Sequence, residues 1–236
     1  MENYSISRIK QYNSCKLAYY LKYFLKIRKP YEAHPSAVFG NLVHWAAEHD
    51  IYDLDKVRKE AEKSEYKKIK KADLGIELER NIKAIQEYKK TDNVIFPTQQ
   101  EEQWLNWKGT KIKFCGKVDR ILYNDTICKI VDYKSNSKVE TADSYDSQLK
   151  FYNMLLLLGG TTKNRKIVSE LFFTRHNVTV TKEISKKEIL IFIKEIKNKI
   201  VEIENNKTWL PQASYSNCMF CDFKSDKKLC QVSKFK

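Results

Sequence analysis

Glycine and proline are both scarce in this chain of 236 residues, six of the first and four of the second. That excludes collagen-like, Gly-rich linker and Pro-rich low-complexity architectures, which need those residues in quantity. Long hydrophobic runs are missing too. The longest purely apolar stretch, Met154 to Leu158, falls far short of the roughly 20 residues a membrane-crossing helix requires. The N-terminal Met1-Glu2-Asn3-Tyr4-Ser5 has no apolar segment behind a basic start, which argues against a secretory leader. No Gly-x4-Gly-Lys-Ser/Thr loop occurs, so the chain has no nucleotide-driven motor of its own. No internal repeat is visible. The expectation is a soluble, cytoplasmic protein with no membrane association.

Acidic residues are the minority charge. Thirty Asp and Glu against 44 Lys and Arg leave a formal net charge of +14. A surface of that sign is drawn to polyanions, of which nucleic acid is the usual one; the alternative is a merely solvated, Lys-rich surface. With 42% hydrophobic residues the chain can bury a full core, and its length fits one large domain or a core with a small appendage. Inside a reducing compartment its cysteines favour metal ligation over disulfides.

Periodicity then gives an order of elements. Ser5 to Leu25 reads as one helix with Ser5 or Ser7 as its cap, and Ser36 to Asp50 as a second, with Phe39, Val43 and Ala47 on one side. Residues 53–74 have little apolar stripe and read as an exposed helix or arm. Leu78, Ile82 and Ile85 mark a firmer helix that ends at Phe96-Pro97. The period then changes to two: Trp104 to Lys108, Lys111 to Tyr123 and Thr126 to Lys134 read as three consecutive strands. An amphipathic helix over 143–158 stops at Gly159-Gly160. A hairpin follows around Arg175-His176-Asn177. Ser185 and Glu188 open a last long helix as a capping box, and the tail from Trp209 reads as irregular. This order predicts a central mixed β-sheet flanked by helices, in the α/β or α+β class.

The densest chemistry lies in Gly116-Lys-Val-Asp119 and Ile130-Val-Asp132-Tyr-Lys134. Side chains alternate along a strand, so Asp132 and Lys134 share a face, and a hairpin brings Asp119 alongside. Two carboxylates aimed at one point repel each other without a cation, and a hard divalent ion relieves that. A lysine beside it can orient a water and offset negative charge on a reacting phosphate. The bland alternative is an ordinary ion pair at a strand end. Gln148 and Tyr152, four apart, fall on one helical face shortly after the lysine.

Together, Gly40-Asn-Leu-Val-His44, Gly116 to Asp119, Asp132-Tyr-Lys134 and Gln148-x3-Tyr152, with Ser5-Ile-Ser7, Tyr12 and Cys15 ahead of them, resemble the RecB-type PD-(D/E)XK nucleases over nearly the whole chain. Val118 stands where the superfamily's name has proline. The resemblance implies a restriction-endonuclease-like core in which Asp119, Asp132, the Tyr133 backbone carbonyl and His44 bind Mg²⁺ or Mn²⁺. It makes Lys134 the water-positioning residue, and lets Gln148 and Tyr152 contact DNA or support the site. Glu101 or Glu102 is a further candidate for the same face.

Cys218-x2-Cys221-x8-Cys230 forms a local trio, and Cys15 is a fourth ligand from the far end of the chain. Four thiolates suit Zn²⁺ or an iron–sulfur cluster, and spacing does not separate the two. Cys115 and Cys128 read as small buried strand residues. An early cysteine plus a C-terminal trio is similar to the iron–sulfur staple of AddB-type nucleases and CRISPR-associated RecB-like exonucleases. That resemblance implies a [4Fe-4S] cluster, with zinc the less favoured occupant. It also implies one nuclease domain over 1–236, in which 1–30 and 209–236 form the cluster-binding portion and 31–208 the helical insert and nuclease core.

The expected activity is a Mg²⁺- or Mn²⁺-dependent DNA exonuclease working on single strands or DNA ends, without base-specific contacts, and leaving 5′-phosphates. Its partners would be DNA and helicase, recombination or CRISPR proteins. The rival reading is a catalytically silent DNA-end-binding or scaffold subunit, against which the intact Asp119, Asp132 and Lys134 argue.

Overall fold

The computed structural model describes residues 3–28, 34–95, 98–100, 103–107, 112–160, 162 and 164–232, with side chains outside 92–111. A short strand β1 (Asn3–Tyr4) leads into α1 (Ile6–Ser14), α2 (Lys16–Tyr19) and a π-helical turn at Tyr20–Phe24. Helices α3 (Pro35–Glu48), α4 (Leu54–Glu60) and α5 (Ile76–Ile95) follow. Then come β2 (Thr98–Gln100), β3 (Gln103–Trp107), β4 (Lys113–Val118), β5 (Arg120–Tyr123) and β6 (Ile127–Lys134). The chain continues with α6 (Asp146–Leu158), β7 (Lys166–Phe173), β8 (Val178–Glu183), α7 (Lys186–Asn205) and a short α8 (Tyr215–Met219).

The strands make two sheets. One has the order β1-β4-β3 and the other β2-β5-β6-β7-β8. Strands β6 and β7 are parallel and joined through α6, while β5–β6 and β7–β8 are antiparallel. The mixed sheet flanked by helices is the predicted class.

Alternation along β6 sorts its side chains into two cores. Ile130 joins the layer under α1, α6 and α7, with Leu149, Leu155 and Ile196. Val131 and Tyr133 join Val43, Leu78 and Ile82 under α3 and α5. Both faces of β6 are therefore covered, as a strand paired in parallel requires.

Three elements differ from the sequence reading. The first helix is not continuous: Cys15 takes an extended backbone (φ −160°, ψ 111°) and splits α1 from α2. Helical residues flank it on both sides, so no local breaker announces the interruption; the break serves the tertiary position of the thiol. Residues 53–74 are not a loose arm, because Val57, Tyr66 and Ile69 are buried against α3 and α5. Their apolar residues are spaced for one short helix and two 3₁₀ turns, which a 3.6-residue pattern does not detect. The long strand to Tyr123 is cut at Asp119, and its halves lie in different sheets. The expected turn at 108–110, the Phe96-Pro97 stop, and Glu101 and Glu102 lie outside the described residues. The capping box holds: Ser185 accepts from the Glu188 N–H (3.2 Å) while Glu188 accepts from the Ser185 N–H (2.8 Å).

The two ends of the chain meet. Asn217 Nδ2 donates to the Ser14 carbonyl (2.7 Å), Lys22 pairs with Asp222 (2.7 Å), and the Trp209 ring stacks on Tyr20 at 5.1 Å. Among the described residues no helix is long and apolar enough to cross a membrane.

Candidate active site

Asp132 and Lys134 leave β6 on the face that meets α6. Asp119 reaches them from the step between β4 and β5, where the strand changes sheets. The register Arg120↔Val131 sets the approach, and the Tyr133 N–H fixes it by donating to Asp119 Oδ2 (2.8 Å). Helix α3 brings His44, whose Nδ1 lies 3.1 Å from Asp119 Oδ1. Helix α6 brings Gln148: its Nε2 donates to Asp132 Oδ1 (3.2 Å) and to the Tyr152 hydroxyl (3.0 Å), and its Oε1 accepts from Lys134 Nζ (3.5 Å). Lys134 Nζ also pairs with Asp132 Oδ2. The fold thus gathers His44, Asp119, Asp132, Lys134, Gln148 and Tyr152 in one place. The Tyr133 ring turns the other way, beneath Tyr88 and Phe172.

Gly116 permits this closeness. A Cβ there would stand 2.9 Å from Leu155 Cδ1 and 3.3 Å from the Tyr152 ring, so a larger residue would make those two side chains give way.

The charges are strongly coupled. Burial raises the proton affinity of Asp132; Lys134 opposes this and the neighbouring Asp119 adds to it, with a net upward shift. Burial acts on Asp119 the same way, but His44, the Tyr133 N–H and Lys134 outweigh it and hold the carboxyl below its ordinary range. Burial alone would depress His44; Asp119 prevails and its pKa is pushed up to about 9. Burial likewise works against the Lys134 ammonium, and Asp132 more than compensates.

Asp119 meets His44 and accepts from the Tyr133 N–H, Asp132 Oδ1 accepts from Gln148, and Asp132 Oδ2, buried and without a hydrogen bond, has the Lys134 ammonium as its ion partner. In that arrangement no three His, Cys, Asp or Glu side chains among the described residues are drawn close enough to grip an ion. The donor set still suits a hard divalent cation: two buried carboxylates with opposed proton affinities, and an imidazole beside them.

Two participants escaped the sequence reading. Lys10 on α1 lies within the field of the site: burial and Lys134 depress its ammonium while Asp132 pulls the other way. No local pattern marks it. Tyr145 places its ring 4.5 Å from Lys134 Nζ, and its hydroxyl takes part in a network with Asn136 (2.7 Å) and Glu140 (3.1 Å). It precedes α6 as its cap, with a non-helical backbone, so no helical-face spacing marks it.

The four predicted cysteine ligands, Cys15, Cys218, Cys221 and Cys230, line one small pocket with Leu21 and Phe223. All six cysteines are free thiols. The Gln212 N–H points at Cys15 Sγ (3.5 Å). Burial raises the Cys221 pKa; the Phe223 backbone opposes this, and Cys15 and Cys230 reinforce it. The four thiols share a pocket, but among the described residues no three of them are close enough together to grip a metal. Cys128 is buried in β6 as expected, and Cys115 is half-buried in β4.

No curated protein matches the sequence at a significant level. Among solved structures, a crystal structure of a candidate exonuclease from Eubacterium rectale is similar at 14% identity, with a TM-score of 0.54 over 88% of this chain and 82% of that one. The structure of SSO0001 aligns over 98% of this chain and 96% of its own at 14% identity, but at a TM-score of 0.38 it carries no argument. Residues 3–230 match the sequence profile of the PD-(D/E)XK nuclease superfamily. With that match spanning almost the whole chain, on a mixed sheet that brings Asp119, Asp132 and Lys134 together, the protein belongs to the PD-(D/E)XK nuclease superfamily.

Proposed function

We propose that the chain is a metal-dependent deoxyribonuclease of the RecB-like branch, an exonuclease on single-stranded DNA or DNA ends that leaves 5′-phosphates. The observation that carries this reading is the meeting of Asp119 and Asp132 with Lys134 and His44 at the end of one buried strand. Asp119, Asp132, His44 and the Tyr133 carbonyl would hold Mg²⁺ or Mn²⁺, which when bound supplies Lewis acidity toward a phosphate oxygen and its water. Lys134 places an ammonium where a water and the reacting phosphate meet. Gln148 fixes the spacing of Asp132 and Lys134 by bonding to both. Burial of the carboxylates keeps solvent from weakening these interactions.

Cys15, Cys218, Cys221 and Cys230 would bind a [4Fe-4S] cluster, with Zn²⁺ as the alternative occupant. On this reading 1–30 and 209–236 form the cluster-binding portion and 31–208 the insert and core. Anaerobic purification followed by iron, sulfide and zinc determination separates the two: brown protein with about four irons per chain supports the cluster, and stoichiometric zinc without colour replaces it.

End-labelled single- and double-stranded DNA incubated with Mg²⁺, Mn²⁺ or EDTA tests the activity. Ion-dependent degradation that disappears in Asp132→Ala is the expected result. Binding without cleavage under every condition would make the chain a silent DNA-end-binding subunit instead.

A further inference from the structure

A cleft of about 1280 Å³ begins at Ser135 and Asn136, immediately after Lys134, and runs to Phe220 on the cysteine-bearing tail. The first turn of α3 forms one bank. The segment Met219-Phe220-Cys221 forms the other. A phosphodiester held at Asp132 and Lys134 must send its neighbouring nucleotides along some groove; the acids, His44 and Lys134 do not line this one, but it starts at the residue that follows Lys134.

Its lining fits a strand with unpaired bases. Phe220 is 73% exposed and Tyr215 is 67% exposed, both on the tail bank. Large aromatic rings left in water are costly as packing elements but serve as platforms for base stacking, which tolerates any sequence. Lys70 and Lys138 line the same cleft and are exposed, and Arg175, paired with Glu77 (2.7 Å), lines it too. Three acids line it as well: Glu140 is held by Asn136 and Tyr145, Asp222 by Lys22, and Asp73 is the third. A duplex hides its base faces inside the stack, so exposed rings have nothing to stack on except at its ends.

We propose that this cleft is a track for single-stranded nucleic acid, in which Phe220 stacks on a base while Lys70 and Lys138 follow the phosphates. The inference rests on reading Asp132 and Lys134 as the reacting centre. It adds a consequence of its own. Phe220 lies between Cys218 and Cys221, and Cys221 lines both the cleft and the thiol pocket. Whatever the thiols hold therefore fixes the bank on which the base lands.

The test is fluorescence anisotropy with labelled oligo-dT and a duplex of equal length, in EDTA, so that binding is read without hydrolysis. The whole chain is used, with Phe220→Ala, Phe220→Trp and, as a control on the outer face of α7, Leu190→Ala. Phe220→Ala is expected to weaken oligo-dT binding about tenfold or more, the loss of one base stack, while Phe220→Trp and Leu190→Ala bind as the parent does. The duplex should bind more weakly than oligo-dT. Unchanged affinity in Phe220→Ala, or a duplex bound as tightly as oligo-dT, overturns the track. Failure of the parent to degrade DNA with Mn²⁺ counts against the nuclease reading instead, because the binding assay contains no divalent ion. Equal melting temperatures for Phe220→Ala and the parent show that the exposed ring was not holding the fold.

Discussion

Asp132, the Gln148 amide oxygen and the face of Tyr145 all meet the Lys134 ammonium. A point charge so placed contributes most when negative charge grows on a phosphate. Lys134→Ala is expected to lower kcat by about 10²- to 10³-fold, the range for loss of one preorganised charge-stabilising group, while DNA affinity in EDTA stays near that of the parent. Lys134→Arg is not expected to restore the rate, since a planar, forked guanidinium does not reproduce a compact ammonium point charge. His44→Ala should raise the Mn²⁺ concentration for half-maximal activity by at least about tenfold, measured as a metal titration of initial rates. Asp132 and Lys134 were legible in the sequence because strand parity is rigid: residues two apart share a face. Asp119 was found, but not its setting, because the apolar alternation runs through the point where the strand changes sheets. Lys10 was invisible, since nothing around it in the sequence says which distant face α1 will cover.

Helix α6 must be placed as carefully as β6. At its start, Asp146 pairs with Lys150 (2.8 Å) and with Lys182 of β8 (2.5 Å). Burial would raise the Asp146 pKa, but the two lysines outweigh it and depress it. A depressed carboxyl stabilises the fold above its ordinary pKa and loses that effect as pH falls through the lowered value. Asp146→Ala should therefore cost about 1 kcal/mol or less at pH 7, as the partly exposed pairs imply, and the deficit should shrink below pH ~4; urea unfolding at both pH values checks it. Further along the helix, Gly116→Ala is expected to destabilise by about 1–3 kcal/mol through overpacking against Leu155 and Tyr152. It should also reduce cleavage, because Tyr152 supports Gln148. An unfolding midpoint equal to the parent's would show that α6 shifts without cost. The long helices α5 and α7 were readable from their stripes. The short helix and 3₁₀ turns over 54–74 were not, because brief elements bury single residues such as Val57 and Tyr66 without building a period.

Across the molecule, the N-terminal segment is held at several places. Strand β1 pairs with β4 (Tyr4↔Phe114), and Cys15 enters the pocket shared with Cys218, Cys221 and Cys230. A link between residues some two hundred apart restricts the unfolded chain strongly, and a metal or cluster held there adds its binding energy to folding. Cys15→Ala and Cys221→Ala should each give colourless, poorly soluble protein with a lowered melting temperature; an unchanged melting curve in either would show that the thiols do not staple the chain. The pairing of the early cysteine with the tail trio could be inferred from the motif order. The contacts that bring the ends together without any metal, from Asn217 to Ser14 and from Trp209 to Tyr20, join residues too far apart in sequence to betray each other.

The Gln148 carboxamide has a donor end and an acceptor end, and here the first meets a carboxylate and the second an ammonium. Turned by half a revolution it would satisfy neither. Its direction therefore records which of its neighbours carries the proton, and Gln148→Glu, which has no donor end, would force a proton into the site or push Asp132 away. A shifted pH optimum in that variant, at equal fold stability, would be the trace left by one amide that can face only one way.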